Sequence, residues 1–234
     1  MKTFLTLFFI CYTVSAEKHS LKFFVTETSG ETNFTEFDGI ATLDNIEIGH
    51  CDNINVKAKP KQDWEIVKQR PTHIDWYTHN CVKTQHILKV NLNDLKQHLN
   101  QTEGLHVLQR MSGCEWDDES NKVTGFIQFG YDGEDLLTLD LQTKTWTSPK
   151  AQADVKKYLT ETDTRRTDSM KAFLMSECPD LLQTYVRTEK SFLQKTGTAN
   201  NASWFLQNMW YMKKSKFLTF FVQRFPQYLF SRRL

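Results

Sequence analysis

The chain has 234 residues, a formal net charge of +1 and 39% hydrophobic residues. That length holds one large domain or two small ones, and so balanced a charge argues against a molecule built as a nucleic-acid binder. In chain order, Met1 to Ala16 reads as a secretory signal, with Lys2 at its start, an apolar stretch from Phe4 to Tyr12, and Val14-Ser15-Ala16 as the cleavage site. The apolar stretch is too short to span a bilayer, and the mature chain is expected to begin near Glu17.

The first half, 17–104, opens with "LKFFVTETS" and "ATLDNIEIGHC", which read as strands. "DWYTHNCVKTQHILKVNLNDLKQHL" then reads as a helix carrying Val82, Ile87, Val90, Leu95 and Leu99. His79 and His86, seven residues apart on it, suit a solvated or groove-lining role better than metal binding. The second half, 105–195, repeats the plan. In "LHVLQRMSGCEW", Leu108, Arg110, Ser112 and Cys114 share one strand face, and Val107, Gln109 and Met111 share the other. "VTGFIQFGY" puts Ile127, Phe129 and Tyr131 on one side, and the next segment groups Leu137, Leu139 and Leu141.

Acidic clusters at 117–121 and 132–135 fall between these strands. Neither has the spacing of an EF-hand calcium loop, so both read as turns. Met170, Phe173, Leu174, Leu181, Leu182, Tyr185 and Val186 then recur at helical steps, with Pro179 expected to kink or break the helix. Two units of strands followed by a helix imply an α+β fold with helices on one face of an antiparallel sheet. The remainder, 196–234, carries +6 against −6 for 17–195, which marks a boundary. This basic aromatic tail reads as an unstructured terminus, with an anionic membrane surface or an acidic partner as the alternative.

Secretion sets the reading of the cysteines. Cys11 leaves with the signal, and Cys51, Cys81, Cys114 and Cys178 remain, open to three pairings. A strand cysteine and a helix cysteine in each half make Cys51–Cys81 and Cys114–Cys178 plausible bridges; two free buried thiols are the alternative. No C-x-x-C pair marks a zinc site, and no cofactor is expected. No G-x-S-x-G or H-E-x-x-H is present, so the chain reads as a binding protein rather than an enzyme. A secreted hydrolase would need His and Asp clustered in a cleft. Asn33, Asn100 and Asn201 begin glycosylation sequons.

"NQTEGLHVLQRMSGCEWDDESNKVTGFIQFGYDGEDLLTLDLQTKTW" resembles the start of the alpha-2 domain of MHC class I heavy chains, in its QRM-x-GC strand, its YDG turn and its closing Trp146. "HSLKFFVTETSG" and "PKQDW" resemble the first strand and the approach to the alpha-1 helix. The resemblance covers roughly residues 19 to 195 and is nearest in wording to bony-fish chains. It implies an antigen-recognition fold, an eight-stranded antiparallel sheet topped by two long helices. It also implies a Cys114–Cys178 bridge, glycosylation at Asn100, and beta-2-microglobulin and an immune-cell receptor as partners.

At the positions that hold peptide termini in the family, this chain has Phe23, Asp75, Phe173 and Leu181, with only Tyr185 kept. At the other end stand His98, Lys156, Leu159 and Thr160. The floor implied by the resemblance is Phe23, Val25, Leu108, Arg110, Ser112, Ile127 and Phe129. Lost hydroxyls cannot bond a charged peptide end, so the expectation is a non-classical member holding an apolar ligand or none. The family continues into an immunoglobulin-like alpha-3 domain and a membrane span. Neither is legible in residues 196–234, so a secreted platform is expected.

Overall fold

A computed structural model describes residues 18–30, 36–55, 57–61, 63–70, 72–141, 143–148, 164–191 and 193. The expected signal, Asn33, Lys156, Leu159, Thr160, Asn201 and the basic tail lie outside these residues.

Alternating residues build eight strands: β1 (Lys18–Ser29), β2 (Phe37–Leu43), β3 (Ile46–Asp52), β4 (Lys59–Pro60), β5 (His106–Asp117), β6 (Val123–Tyr131), β7 (Glu134–Asp140) and β8 (Thr145–Thr147). They form one sheet in the order β4-β3-β2-β1-β5-β6-β7-β8. All its pairings are antiparallel. The two halves therefore meet at the central β1–β5 pair.

The turns follow from residue chemistry. Asp44 and Asn45, at φ 48° and 67°, link the paired Leu43 and Ile46; Asp132 and Gly133, at φ 50° and 85°, link Tyr131 and Glu134. Two successive positive-φ residues make the two-residue hairpin turn whose twist matches the strands, and Asp, Asn and Gly adopt it most readily. The second acidic cluster is thus a turn: Asp132 accepts hydrogen bonds from the Val107 amide (2.8 Å) and pairs with His106 Nδ1 (2.8 Å). In the first cluster Asp117 accepts from the Ser120 amide and hydroxyl. No group of three or more metal-ligating side chains occurs among the described residues.

Helices lie over one face. A short α1 (Glu65–Gln69) precedes α2 (Thr72–His98), about 40 Å long at 1.5 Å per residue. The second-half helix runs as α3 (Thr164–Ala172), a π-helical turn (Phe173–Glu177) and α4 (Cys178–Thr188). Pro179 does not break it. The Cys178 amide bonds the Phe173 carbonyl five residues back, and the widened turn absorbs the missing proline donor within a continuous helix.

The buried stripe of α2 differs from the one expected. Val82, Val90 and Leu99 are exposed; His73, Leu88, Leu92 and Leu95 are buried. The rotational phase is set by the Cys51–Cys81 disulfide, which turns Cys81 toward β3. Residues 7, 11 and 14 positions beyond it share that face. Leu88, Leu92 and Leu95 pack with Val25, Phe37, Leu108, Tyr131, Leu136 and Leu137. Each such leucine stabilises by roughly 1.5–3 kcal/mol through burial. Cys114–Cys178 joins β5 to α4 in the other half, with both cysteines at 0% exposure.

Candidate ligand-binding groove

Strand register decides which side chains look up at the helices. Leu21, Phe23 and Val25 pair with Cys114, Ser112 and Arg110 across β1–β5, and Ser112 and Arg110 pair with Ile127 and Phe129 across β5–β6. Because Cys114 is bonded to α4, this whole set faces the helices. Between the sheet and the helices lies a cavity of about 1140 Å³. Phe23, Val25, Arg110, Ser112, Ile127 and Phe129 from the expected floor line it, as do Phe173 and Tyr185.

Three expected groove residues lie elsewhere. Leu108, 2% exposed, belongs to the cluster under the C-terminal half of α2, where Leu88, Leu92 and Leu95 rest on the sheet. His98, on the last turn of α2, is exposed, and Leu181 packs against the core around Trp64 and Tyr185. Among the described residues the lining that α2 gives the cavity stops at Asn91, and Leu88, Leu92 and Leu95 rest on the sheet.

The opposite end is aromatic. Tyr185 Oη meets His73 Nε2 at 2.8 Å and Tyr77 Oη at 3.4 Å. Trp64 and Tyr185 pack edge to face, as do His73 and Tyr77. Burial lowers the His73 pKa, with a further push from Arg70, and burial raises those of Tyr77 and Tyr185. All three therefore act here as neutral hydrogen-bonding groups. His73 occupies the place beside Tyr185 that the sequence comparison gave to Asp75. Asp75 is instead exposed, 4.0 Å from Lys57, because two helix positions turn a side chain through about 200°. Four-residue steps back from Cys81 reach Tyr77 and then His73, and that was the signal for both.

Charge in the lining is mostly positive. Lys59, Lys83 and Arg110 contribute it, against Glu177. Arg110 Nη2 reaches Thr84 Oγ1 only at 3.5 Å, and Nε has no partner among the described residues. Burial pulls the guanidinium pKa down to about 10, so it remains a cation at neutral pH. A buried charge without an opposite partner is costly.

The walls hold two sequence features of different fate. His79 and His86 are both exposed, but only His86 lies at the rim of the cavity. Cys51 and Cys81, half-buried, both line the wall, with Cys51 Sγ above Gly39, where an added Cβ would come within 2.9 Å of it. His50, also at the cavity, places Nε2 2.6 Å from Asp38 and Nδ1 4.0 Å from Asp52. The bond to Asp38 raises its pKa. Both ring nitrogens of His50 thus face carboxylates rather than a serine or thiol.

Residues 17–193 match the family model described as class I histocompatibility antigen, domains alpha 1 and 2. Similar proteins include the major histocompatibility complex class I-related protein 1 of Mus musculus, 29% identical over 179 residues, which cover 76% of this chain and 52% of that one. The protein of the same name from Bos taurus is 30% identical over 182 residues, 77% and 54% of the two chains. That from Rattus norvegicus is 28% identical over 194 residues, 82% and 56%. The chain spans about half the length of these curated relatives. An eight-stranded sheet carrying helices over a groove, together with this match, shows that the chain belongs to the MHC class I family through its alpha-1 and alpha-2 domains.

Proposed function

We propose that this chain is a non-classical class I-like immune recognition protein whose groove holds an apolar ligand bearing a single acidic group. The observation that carries this reading is Arg110, a cation in an apolar floor with Nε unpaired among the described residues. A carboxylate or similar anion on the ligand would supply the missing partner, and Phe23, Val25, Ile127 and Phe129 would bury its body. Peptide termini are poorly served. Phe23 and Phe173 have no hydroxyl, and the Tyr185 hydroxyl is already held by His73 and Tyr77.

In this reading the helices face an immune-cell receptor, and beta-2-microglobulin is the expected partner chain. The site is extracellular, consistent with two disulfides and Asn100 as an exposed glycosylation candidate. A soluble decoy with an empty groove is the competing reading, favoured by the leucines packed between α2 and the sheet. No helix among the described residues is long and apolar enough to cross a membrane.

Mass spectrometry of material extracted from the purified full chain tests the proposal. Anionic amphiphiles are the expected cargo; many eight- to ten-residue peptides sharing end anchors would refute it, and no cargo would favour the decoy. Arg110→Leu should weaken retention of an acidic ligand by one to two orders of magnitude, the worth of a charged hydrogen bond at about 1.5–3 kcal/mol.

A further inference from the structure

A disulfide exchanges with a thiol only where a thiolate can reach one of its sulfurs. The two bridges of this chain differ in that respect. Cys114 and Cys178 are both at 0% exposure. Cys51 and Cys81 are half-buried, and both line the cavity between the sheet and the helices. Strand register puts Cys51 there. Val25 of the floor pairs with Gly39, and Gly39 pairs with Cys51, so all three share the helix-facing side of the sheet. The bond to Cys81 then carries the bridge from that side up to α2. Gly39 also lines the cavity and sets no side chain against the bridge; an added Cβ would come within 2.9 Å of Cys51 Sγ. The same lining carries Lys59, Lys83 and Arg110 against Glu177. Such a balance of charge concentrates anions, a thiolate among them.

We infer that the Cys51–Cys81 bridge is a covalent capture site for small acidic thiols that enter the groove. The ligand, as its thiolate, attacks one sulfur of the bridge. A ligand–cysteine disulfide forms, the Cys51–Cys81 bond breaks, and the other cysteine leaves as a thiolate. That thiolate takes up a proton in place of the one the ligand thiol gave to solvent. The ligand sulfur is oxidised and the released cysteine is reduced, so the bridge itself is the oxidant. The released cysteine stays close, because β3 and α2 hold the two Cα atoms 6.6 Å apart in the bridged state. It can re-form the bridge and expel the ligand at a high effective concentration. Capture is therefore reversible, and a thiol persists only where the cavity also binds its body and its acidic group. The site goes beyond the ligand reading at Arg110 and does not rest on it.

The native full chain is incubated with mercaptoethanesulfonate or with cysteamine, which carry opposite charges on the same short thiol arm. Rates are referred to the thiolate present. Iodoacetamide then caps the released cysteine before the bridge can re-form, and peptide mapping locates both groups. The expected product carries one ligand and one carbamidomethyl group on the pair Cys51 and Cys81, with Cys114–Cys178 intact. The sulfonate should react about tenfold faster than the amine, the scale of association assisted by a charged cleft. Equal rates, or a faster amine, would overturn the acidic class of ligand. No adduct, at a thiol concentration that opens both bridges of the urea-unfolded chain, would overturn the site. Loss of both bridges together from the native chain would overturn it too, since that marks exchange through unfolding. None of these outcomes depends on the extraction of anionic amphiphiles, so either reading can fail alone.

Discussion

The two ends of the groove are built by different physics. At one end α2 lies directly on the sheet, and Leu88, Leu92, Leu95 and Leu108 are 2% exposed or less. At the other, His73, Tyr77 and Tyr185 share hydrogen bonds within a cluster of rings. Dispersion and water exclusion are non-directional, so leucine packing tolerates small shifts and fails mainly by cavity formation. Hydrogen-bonded rings hold only in one arrangement, so that end fixes position as well. The difference teaches that one end serves mainly stability and the other serves shape.

Substitutions can break this contrast. Leu92→Ala should cost the most, about 2–5 kcal/mol in denaturant unfolding. A loss below 1 kcal/mol would show that the leucine end is not the stabilising one. Next, Glu27 lies on the same sheet face as Phe37 and Leu108, 1% exposed, with Oε2 unpaired among the described residues. Burial pushes its pKa up to about 7, against a lowering by Lys89 and a further raising by Glu36. The folded state then holds more protons than the unfolded one between the ordinary carboxylate range and pH 7. Stability therefore falls as the pH rises through that window. Glu27→Gln should stabilise by about 1–3 kcal/mol at pH 8 and by little at pH 4; an equal effect at both would show that ionisation is not the cause.

The smallest effect belongs to the aromatic end. His73→Phe removes the bond to Tyr185 but keeps a ring, so it should cost roughly 0.5–1.5 kcal/mol. It should also change Tyr185 mobility by NMR more than Leu92→Ala does. A greater loss than Leu92→Ala would reverse the comparison.

The strands and turns of the second half were legible because their signals are local, whereas "ATLDNIEIGHC", read as strand throughout, is parts of β2 and β3 joined by the turn at Asp44-Asn45. Alternation in "VTGFIQFGY" and Asp132-Gly133 between two apolar runs each specify structure over a few residues. The buried face of α2 was not, since its apolar residues at 82, 87, 88, 90, 92, 95 and 99 leave more than one stripe open. Only the tether at Cys81 selects among them, and a tether is a tertiary fact. Asp75 entered the site through the family resemblance, two helix positions out of register with His73, the residue that bonds Tyr185. The groove floor came from the family resemblance, and strand parity agrees with it through Arg110, Ser112, Ile127 and Phe129. Parity says which face a residue takes but not what covers it, so Leu108 was assigned to open groove when it lies under α2. Trp76 stacks on Phe173, 97 positions away, on a π turn that no local pattern announces.

The wall bridge between Cys51 and Cys81 also bears on the order of events during synthesis. It closes a loop of 30 residues that contains β4 and α1 and is complete before β5 is made, whereas the 64-residue Cys114–Cys178 loop must await α4. Were the chain made into an oxidising compartment, the first bond could form while the second half was still emerging. The wall beside Gly39 would then be fastened to the sheet in advance of any guest. A cargo of the kind proposed would then meet a surface whose ordering cost had already been met by folding, and its affinity would be correspondingly less reduced by that cost.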